Sequence, residues 1–328
     1  MNPDKLKMIL RFLFLFCLLF MEVRNGFSGE IGRGGFAGSF LRMGLGARAE
    51  GMGGGSVALA EDVYTAYYNP AGLVFLEHQW FTATLHAMAL DRRLVYVGYA
   101  RSIKAREKGL FQGGFSAGWL SASVGNIDGR DYNGRSNGSF SSGEHCFFFS
   151  FALNPISFLS IGVSGKLLQS RFPGITSQGE DISSLGFGFD FGLMFKPQKS
   201  ITFGIAVRDI GSKYTWDTQE LWERGSQTVD LFPKVICSGM ALHLFSNRLI
   251  LTIDLEKVEY WPLGYTVGTQ IEPYRGIFLR GGIKDGELGI GAGYRLSMLK
   301  KVIYLDYAFV PDLVAPRGSH VFTWSFIF

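Results

Sequence analysis

The sequence predicts a transmembrane antiparallel β-barrel of about fourteen strands, and three observations predict it. Leu185, Phe187, Phe189, Phe191, Leu193 and Phe195 recur at every second position, with Gly186, Gly188, Asp190 and Gly192 between them. A period of two is that of a strand. The bulky face is too apolar for water and the small face cannot fill a sandwich core, so lipid on one side fits best. The same alternation recurs after residue 78 in stretches of about ten residues, the length of a tilted strand that crosses a bilayer. Finally, connections of two lengths alternate, as short turns and long loops do at the two rims of a barrel.

Composition supports this reading. Of 328 residues, 44 are Gly and 30 are Phe, while charged residues make up 18%. That is apolar for a soluble chain. No stretch after residue 30 offers the roughly 18 apolar residues of a spanning helix. Barrels of this length are commonly one unit, although length alone suggests about two domains. The 32 basic residues behind the net charge of +4 are scattered. Without a Lys/Arg cluster, nucleic-acid binding is excluded, and contact with outer-membrane lipids remains compatible.

Lys5, Lys7 and Arg11 precede the apolar run Phe12–Met21, and Gly26 and Ser28 have the spacing of a cleavage site. Residues 1–28 read as a secretory signal peptide. Cys17 lies within the run and resembles no lipidation site. Cys146 and Cys237, far apart, set no disulfide framework and read as wall residues.

Strands are placed at 78–90, 93–102, 110–124, 144–153, 158–170, 184–196, 199–209, 233–245, 248–258, 261–272, 276–284, 286–296, 299–310 and 318–328. In 248–258, Leu249, Leu251, Ile253 and Leu255 oppose Thr252, Asp254 and Glu256. In 261–272, Leu263, Tyr265 and Val267 oppose Gly264, Thr266, Gly268 and Gln270. The first two strands and Phe147–Phe151 are weaker, because both faces are apolar. Short connections follow the even strands: 104–109, Asn154-Pro155, Lys196–Gln198, Ser246-Asn247 and Glu272–Tyr274. Long, mostly polar ones follow the third, fifth, seventh and thirteenth: Gly125–Gly143, Phe172–Ser183, Gly211–Phe232 and Pro311–Gly318. These are the expected exterior loops, although Asp91-Arg92, Lys257–Tyr260 and Lys284–Gly286 are short where the scheme places the exterior. The last strand puts Phe322, Trp324, Phe326 and the final Phe328 on one face. An aromatic last residue resembles the signal that outer-membrane proteins present to the barrel assembly machinery.

Residues 42–73 are not patterned as a strand. Gly44-Leu45-Gly46-Ala47-Arg48-Ala49 matches a loose dinucleotide fingerprint, but no βαβ unit surrounds it and nucleotide binding is excluded. The segment carries Gly46–Ala49, Gly51-Met52-Gly53-Gly54, Ala58–Asp62 and Tyr68-Asn69-Pro70-Ala71-Gly72-Leu73. In that order these resemble the N-terminal region of the FadL-type outer-membrane family of long-chain fatty acid transporters, especially its PorV/PorQ-like branch. The resemblance implies that residues 29–77 form a plug, or hatch, inside a barrel of residues 78–328. Gly51, Gly53, Gly54, Asn69, Pro70, Ala71 and Gly72 would be its motif. The residues agree: the glycines at 51, 53, 54 and 55 permit positive φ and close approach to the wall. Ala58–Tyr68 suits a short helix stopped by Asn69-Pro70, and Asn69 suits backbone groups that need partners inside a lumen. The same motif would equally serve as a brace that never touches substrate.

The resemblance further implies passage of hydrophobic molecules such as fatty acids or other lipids. Gly113-Gly114 in the third strand would mark a lateral opening, since paired glycines weaken strand pairing; small residues making room for the plug explain them equally. Trp216, Leu221, Trp222 and Phe232, with Val229 and Leu231, put apolar bulk into an exterior loop and are candidate ligand contacts, or pack on one another. Arg171 and Arg224 are candidates for a carboxylate head group. The PorV/PorQ-like branch implies a second reading, a partner or carrier in protein secretion. His78, His86, His145, His243 and His320 are dispersed without nucleophile or metal-ligand spacing, so neither an enzyme nor a metal or other cofactor is expected.

Overall fold

The computed structural model describes residues 35–103, 112–176, 179–219, 225–298, 301–311 and 318–328. The expected signal peptide, the turn at 104–109 and most of the loop at 311–318 lie outside them. The described chain opens with a 3-10 turn (Ser39–Arg42), α1 (Ala47–Gly51), α2 (Thr65–Tyr68) and a second 3-10 turn (Pro70–Phe75). Strands β1 (Trp80–Ala87), β2 (Arg92–Ile103), β3 (Gln112–Arg130), β4 (Ser136–Ile156), β5 (Leu159–Phe172), β6 (Ile182–Gln198) and β7 (Ile201–Ile210) follow. A hairpin, β8 (Lys213–Asp217) and β9 (Gln227–Leu231), interrupts the series. It resumes with β10 (Val235–Leu244), β11 (Leu249–Val258), β12 (Leu263–Tyr274) and β13 (Ile277–Lys284). The chain ends in β14 (Glu287–Met298), β15 (Lys301–Val310) and β16 (Ser319–Ile327).

All pairings are antiparallel, and β16 closes on β1 from Trp80↔Ile327 to Ala87↔His320. With β7 paired to β10, fourteen of the sixteen strands make a closed barrel, and β8–β9 stands outside the count as a branch from β6. Closure leaves the barrel wall without an unpaired edge, which lipid would not tolerate. The predicted faces are observed. Leu185, Phe187, Phe189 and Phe191 are exposed outward, as are Phe322, Trp324, Phe326 and Phe328, while Ser184, Asp190, Thr252, Asp254, Thr323 and Ser325 are buried inward. Apolar outside and polar inside is the reverse of a water-soluble sandwich and is the pattern of a lipid-facing wall.

Three expectations need correction. The Gly125–Gly143 loop is mostly strand: β3 runs on to Arg130, β4 begins at Ser136, and pairs such as Ile127↔Phe140 and Asp128↔Ser139 continue the hairpin. Beyond the apolar belt both faces are solvated, so a ladder forms there without hydrophobic alternation to announce it. Its tip is pinned by Asp131, whose Oδ1 accepts from the backbone N–H of Asn133 and Arg135 at 2.9 and 2.8 Å. Gly211–Phe232 likewise contains the β8–β9 hairpin. The expected helix Ala58–Tyr68 is reduced to one turn, α2, because Asp62 Oδ1 accepts from Tyr64 N at 3.0 Å. A local bond of that kind competes with helix. The stop is where expected, with Asn69 extended at φ −157°.

Candidate functional site

The residues before β1 lie against the inward face of strands all round the barrel. The contacts are made where the wall has glycine. A Cβ on Gly114 of β3 would stand 2.5 Å from Leu73 C, on Gly162 of β5 2.3 Å from Ala71 N, and on Gly204 of β7 2.2 Å from Val57 O. On the far side, one on Gly289 of β14 would meet Glu50 O at 2.5 Å and one on Gly282 of β13 would meet Met52 C at 2.1 Å. Backbone thus touches backbone, and the glycine face that the sequence displayed is the seat of the N-terminal segment. Gly53 and Gly54 turn the segment with φ of +73° and +87°, a region other residues enter at a cost. Gly282→Val is expected to leave a heat-modifiable barrel but dislodge this turn, which limited proteolysis within residues 45–57 detects. Unchanged protection there would contradict the seat.

Polar bonds complete the attachment. Asn69, fully buried, donates from Nδ2 to Val57 O and to Leu193 O of β6, each at 3.0 Å, and accepts from Ala71 N at 3.2 Å. Ser160 Oγ donates to Ala71 O at 2.7 Å, and Ala47 N donates to Thr323 Oγ1 at 3.0 Å. Val57 N donates to Asp254 Oδ2 at 3.0 Å. Of the expected motif, Asn69 and Ala71 make these bonds, Pro70 starts the 3-10 turn, and Gly72 lies where a Cβ would strike Thr65 Oγ1 at 2.0 Å.

The lumen has two characters. On the β2–β5 side, Leu94, Tyr96, Leu120, Phe148 and Leu168 form one buried cluster with Phe40, Leu41, Leu45, Tyr64, Tyr67 and Tyr68 of the N-terminal segment. The β10–β16 side is charged. Arg48 pairs with Glu61, reaches Asp62 at 3.4 Å and donates to Gln270 Oε1 at 3.0 Å. Arg280 donates to the same Gln270 oxygen at 2.8 Å and pairs with Asp306 at 2.6 Å. His243 Nδ1 lies 3.1 Å from Glu61. Between the two sides Lys166 holds both Asp190 and Asp209 at 2.8 Å, and Arg208 holds Glu256 at 2.8 Å. Sequence reasoning did not single out these ions. The available signal was a charge on the small-residue face of a spanning strand, as at Lys166, Asp190, Arg208, Arg280 and Asp306.

The mouth beside the long loops is covered. Gly186 and Gly188 of β6 leave room for Lys213 O and Ser212 Oγ, each 1.9 Å from a built Cβ, so the base of the β8–β9 hairpin presses on the inner face of the wall. From there Tyr214 stacks edge-on to Phe232, with ring centroids 4.9 Å apart, and both rings join the cluster of Phe40 and Leu41. Of the expected ligand loop, Phe232 is therefore buried beneath the hairpin. Trp216 packs on Phe172 and Tyr214, while Val229 and Leu231 are exposed. Leu221, Trp222 and Arg224 lie outside the described residues. Arg171 pairs with Asp181 at the surface.

Gly113 and Gly114 carry no bulge. Their pairings with Ile103 and Ser102 on one side and Leu153 and Ala152 on the other are continuous. The wall is closed there, and Gly114 is small because Leu73 lies against it. The irregular place is the β6–β7 seam. Phe191 pairs with Val207 but Phe189 with Ile210, leaving Asp190 opposite Arg208 and Asp209. Asp209 is left-handed at φ +61°. Beyond the bulge the one described pairing of β6 on that side is Leu185↔Thr215 of β8.

No family model matches this sequence, and no curated protein does. Solved structures do match. The Ralstonia pickettii toluene transporter TbuX superposes with a TM-score of 0.62 at 14% identity, over 87% of this chain and 98% of that one. The CymD monoaromatic hydrocarbon channel gives 0.60 at 13%, over 87% and 97%. A Pseudomonas aeruginosa FadL homologue gives 0.59 at 12%, over 87% and 98%. At such identities the likeness is one of fold. The chain has the barrel fold of these solved transporters and channels, the fold that its resemblance to the FadL-type family implied.

Proposed function

We propose that this protein is an outer-membrane channel for hydrophobic molecules, plugged by its N-terminal segment. The observation that carries this reading is the continuous apolar side of the lumen. On the wall and hairpin it comprises Tyr214 and Phe232 beside the long loops with Leu168, Phe148 and Trp80 of the strands, and Tyr67 and Leu76 of the N-terminal segment pack against it. A water-filled pore offers an apolar solute nothing, whereas a strip of this kind lowers the cost of leaving lipid or an aggregate. The plug must move or loosen for passage, since it occupies the face along which the strip runs. The β6–β7 seam is the exit into the membrane that this reading favours over Gly113-Gly114. Phe328, exposed at the end of β16, serves as the assembly signal.

The resemblance implies long-chain fatty acids, and the solved neighbours include a toluene transporter and a monoaromatic hydrocarbon channel. Radiolabelled palmitate and toluene, offered separately to liposomes containing the purified protein, discriminate between them. Saturable uptake of either, altered by Asn69→Ala, supports a plugged channel. The second reading, a secretion partner of the PorV/PorQ-like kind, is favoured by the rim: the β3–β4 hairpin projects polar residues, and Tyr132 at its tip is 98% exposed. Failure of a folded barrel to bind or transport either solute, with an exported protein co-purifying through this hairpin, supports that reading instead.

A further inference from the structure

Between the N-terminal segment and the charged side of the wall lies a small cavity of about 30 Å³, lined mostly by charged and polar side chains. That is room for about two waters. Glu50 of α1 projects into it, 7% exposed. Arg42, Tyr67 and Tyr68 face it from the same segment, Arg208 from β7 and Cys237 from β10. Asp254 and Glu256 come from β11 and Lys284 from β13.

Most other buried carboxylates of this interior are paired with cations. Asp190 and Asp209 share Lys166, Asp306 has Arg280, Glu61 has Arg48, and Glu256 has Arg208 at 2.8 Å and Lys284 at 3.5 Å. Asp254 accepts the Val57 N–H. Among the described residues Glu50 and Asp254 alone of these have no cation within ion-pair distance, and of the two only Glu50 belongs to the N-terminal segment. Lys284 and Arg208, the cations that line the cavity from the wall, are both paired with Glu256, and the Tyr68 hydroxyl that bonds the Glu50 carboxyl is shared with Leu45 O at 3.0 Å. Glu50 is also held where it cannot withdraw, with its carbonyl against Gly289 and a side-chain oxygen 1.9 Å from where a Cβ on Gly44 would stand.

We propose that Glu50 is a proton-binding site of the plug: protonated, it keeps the N-terminal segment seated on the wall, and ionised, it drives the segment toward release. This rests on the plug reading of residues before β1. Burial pushes the Glu50 carboxyl up to about 7, against the opposing pull of Lys284 and Tyr68. The sign follows. A carboxyl that holds its proton more tightly seated than released favours the seated state at acid pH. That advantage is lost as pH rises from its ordinary 4.5 toward about 7, by up to about tenfold per pH unit. Above this range the seat is at its loosest, because an unpaired buried carboxylate is then present.

The test is amide hydrogen exchange, corrected for intrinsic rates, on the full chain in liposomes between pH 5 and 8. The readout is protection of peptides within residues 45–57. Protection that falls with rising pH in the parent, and stays high and flat in Glu50→Gln, supports the proposal. Equal pH dependence in both, or none in the parent, overturns it. Loss of the dependence in Asp254→Asn with retention in Glu50→Gln moves the proton to Asp254 and overturns the assignment. If Glu50→Gln does not yield a heat-modifiable barrel, Lys284→Gln decides, since removing this cation raises the midpoint; an unmoved midpoint overturns the proposal. A segment unprotected at every pH in every variant would instead be the failure of the plug reading.

Discussion

Lys166→Met is expected to destabilise the barrel by about 3–5 kcal/mol, the cost of leaving a buried charge without its partner. Lys166 is the shared cation of Asp190 and Asp209 at the β6–β7 seam, and all three are buried. The backbone ladder is interrupted at this point, so side chains carry what backbone pairing carries elsewhere. Removing the ammonium leaves two carboxylates facing each other, tied by the single Asp209 N donation to Asp190 Oδ1 at 2.9 Å. Urea unfolding in lipid, followed by circular dichroism, measures the loss. Combining Lys166→Met with Asp190→Asn and Asp209→Asn is expected to restore most of it, since the penalty belongs to the unpaired charges. A triple variant as unstable as the single one would place the loss in packing. If the seam is the exit of the channel proposed above, uptake is expected to rise in the single variant at temperatures where the barrel stays folded.

Asn69→Ala is expected to cost roughly 3–5 kcal/mol, through several lost hydrogen bonds and the carbonyls left unpaired in a dry interior. Asn69 ties three parts of the molecule: Val57 earlier in the segment, Ala71 in the following turn and Leu193 in the wall. The loss falls on the seat of the N-terminal segment, so the barrel's own unfolding midpoint should move little. Proteolysis between residues 45 and 76 should accelerate instead. Asn69→Asp is the informative companion, because it keeps the acceptor for Ala71 N and loses only the two donations. An Asn69→Ala protein with parental protease resistance would show that the glycine contacts alone hold the segment.

Much of the fold was legible in the chain because the membrane imposes a simple rule on it. Lipid demands apolar side chains at alternate positions of each spanning strand, and that demand is written locally, residue by residue. Fourteen segments could be placed on β1–β7 and β10–β16, with bounds within about three residues except at the facing ends of β3 and β4. Where the rule lapses, so did the reading: above the apolar belt, the extended β3–β4 and β8–β9 hairpins look like loops, since solvated ladders need no pattern. The one-turn α2 was overestimated because Asp62 draws a local hydrogen bond that no periodicity reveals. The expected opening at Gly113-Gly114 failed for a related reason: a glycine in a strand marks close approach, and sequence does not say whether the approaching group is a ligand, a kink or Leu73.

The candidate site was legible in part. Asn69 and its neighbours could be singled out because extended backbone before proline and a side-chain amide have local consequences. The ion pairs could not, because Lys166 and Asp209 are paired across the bulge of another strand pair, and Arg48 finds Gln270 from the far end of the chain. The sequence alone determined the barrel, its two faces, its strand number and the special character of the segment before it, all of which follow from short-range pattern against lipid. Only the tertiary structure decided that the wall glycines seat that segment, that one side of the lumen is apolar and the other charged, and that Glu50 is left without a cation. Those features depend on which inward positions of distant strands share a level, and closure of the barrel, not local spacing, sets that register.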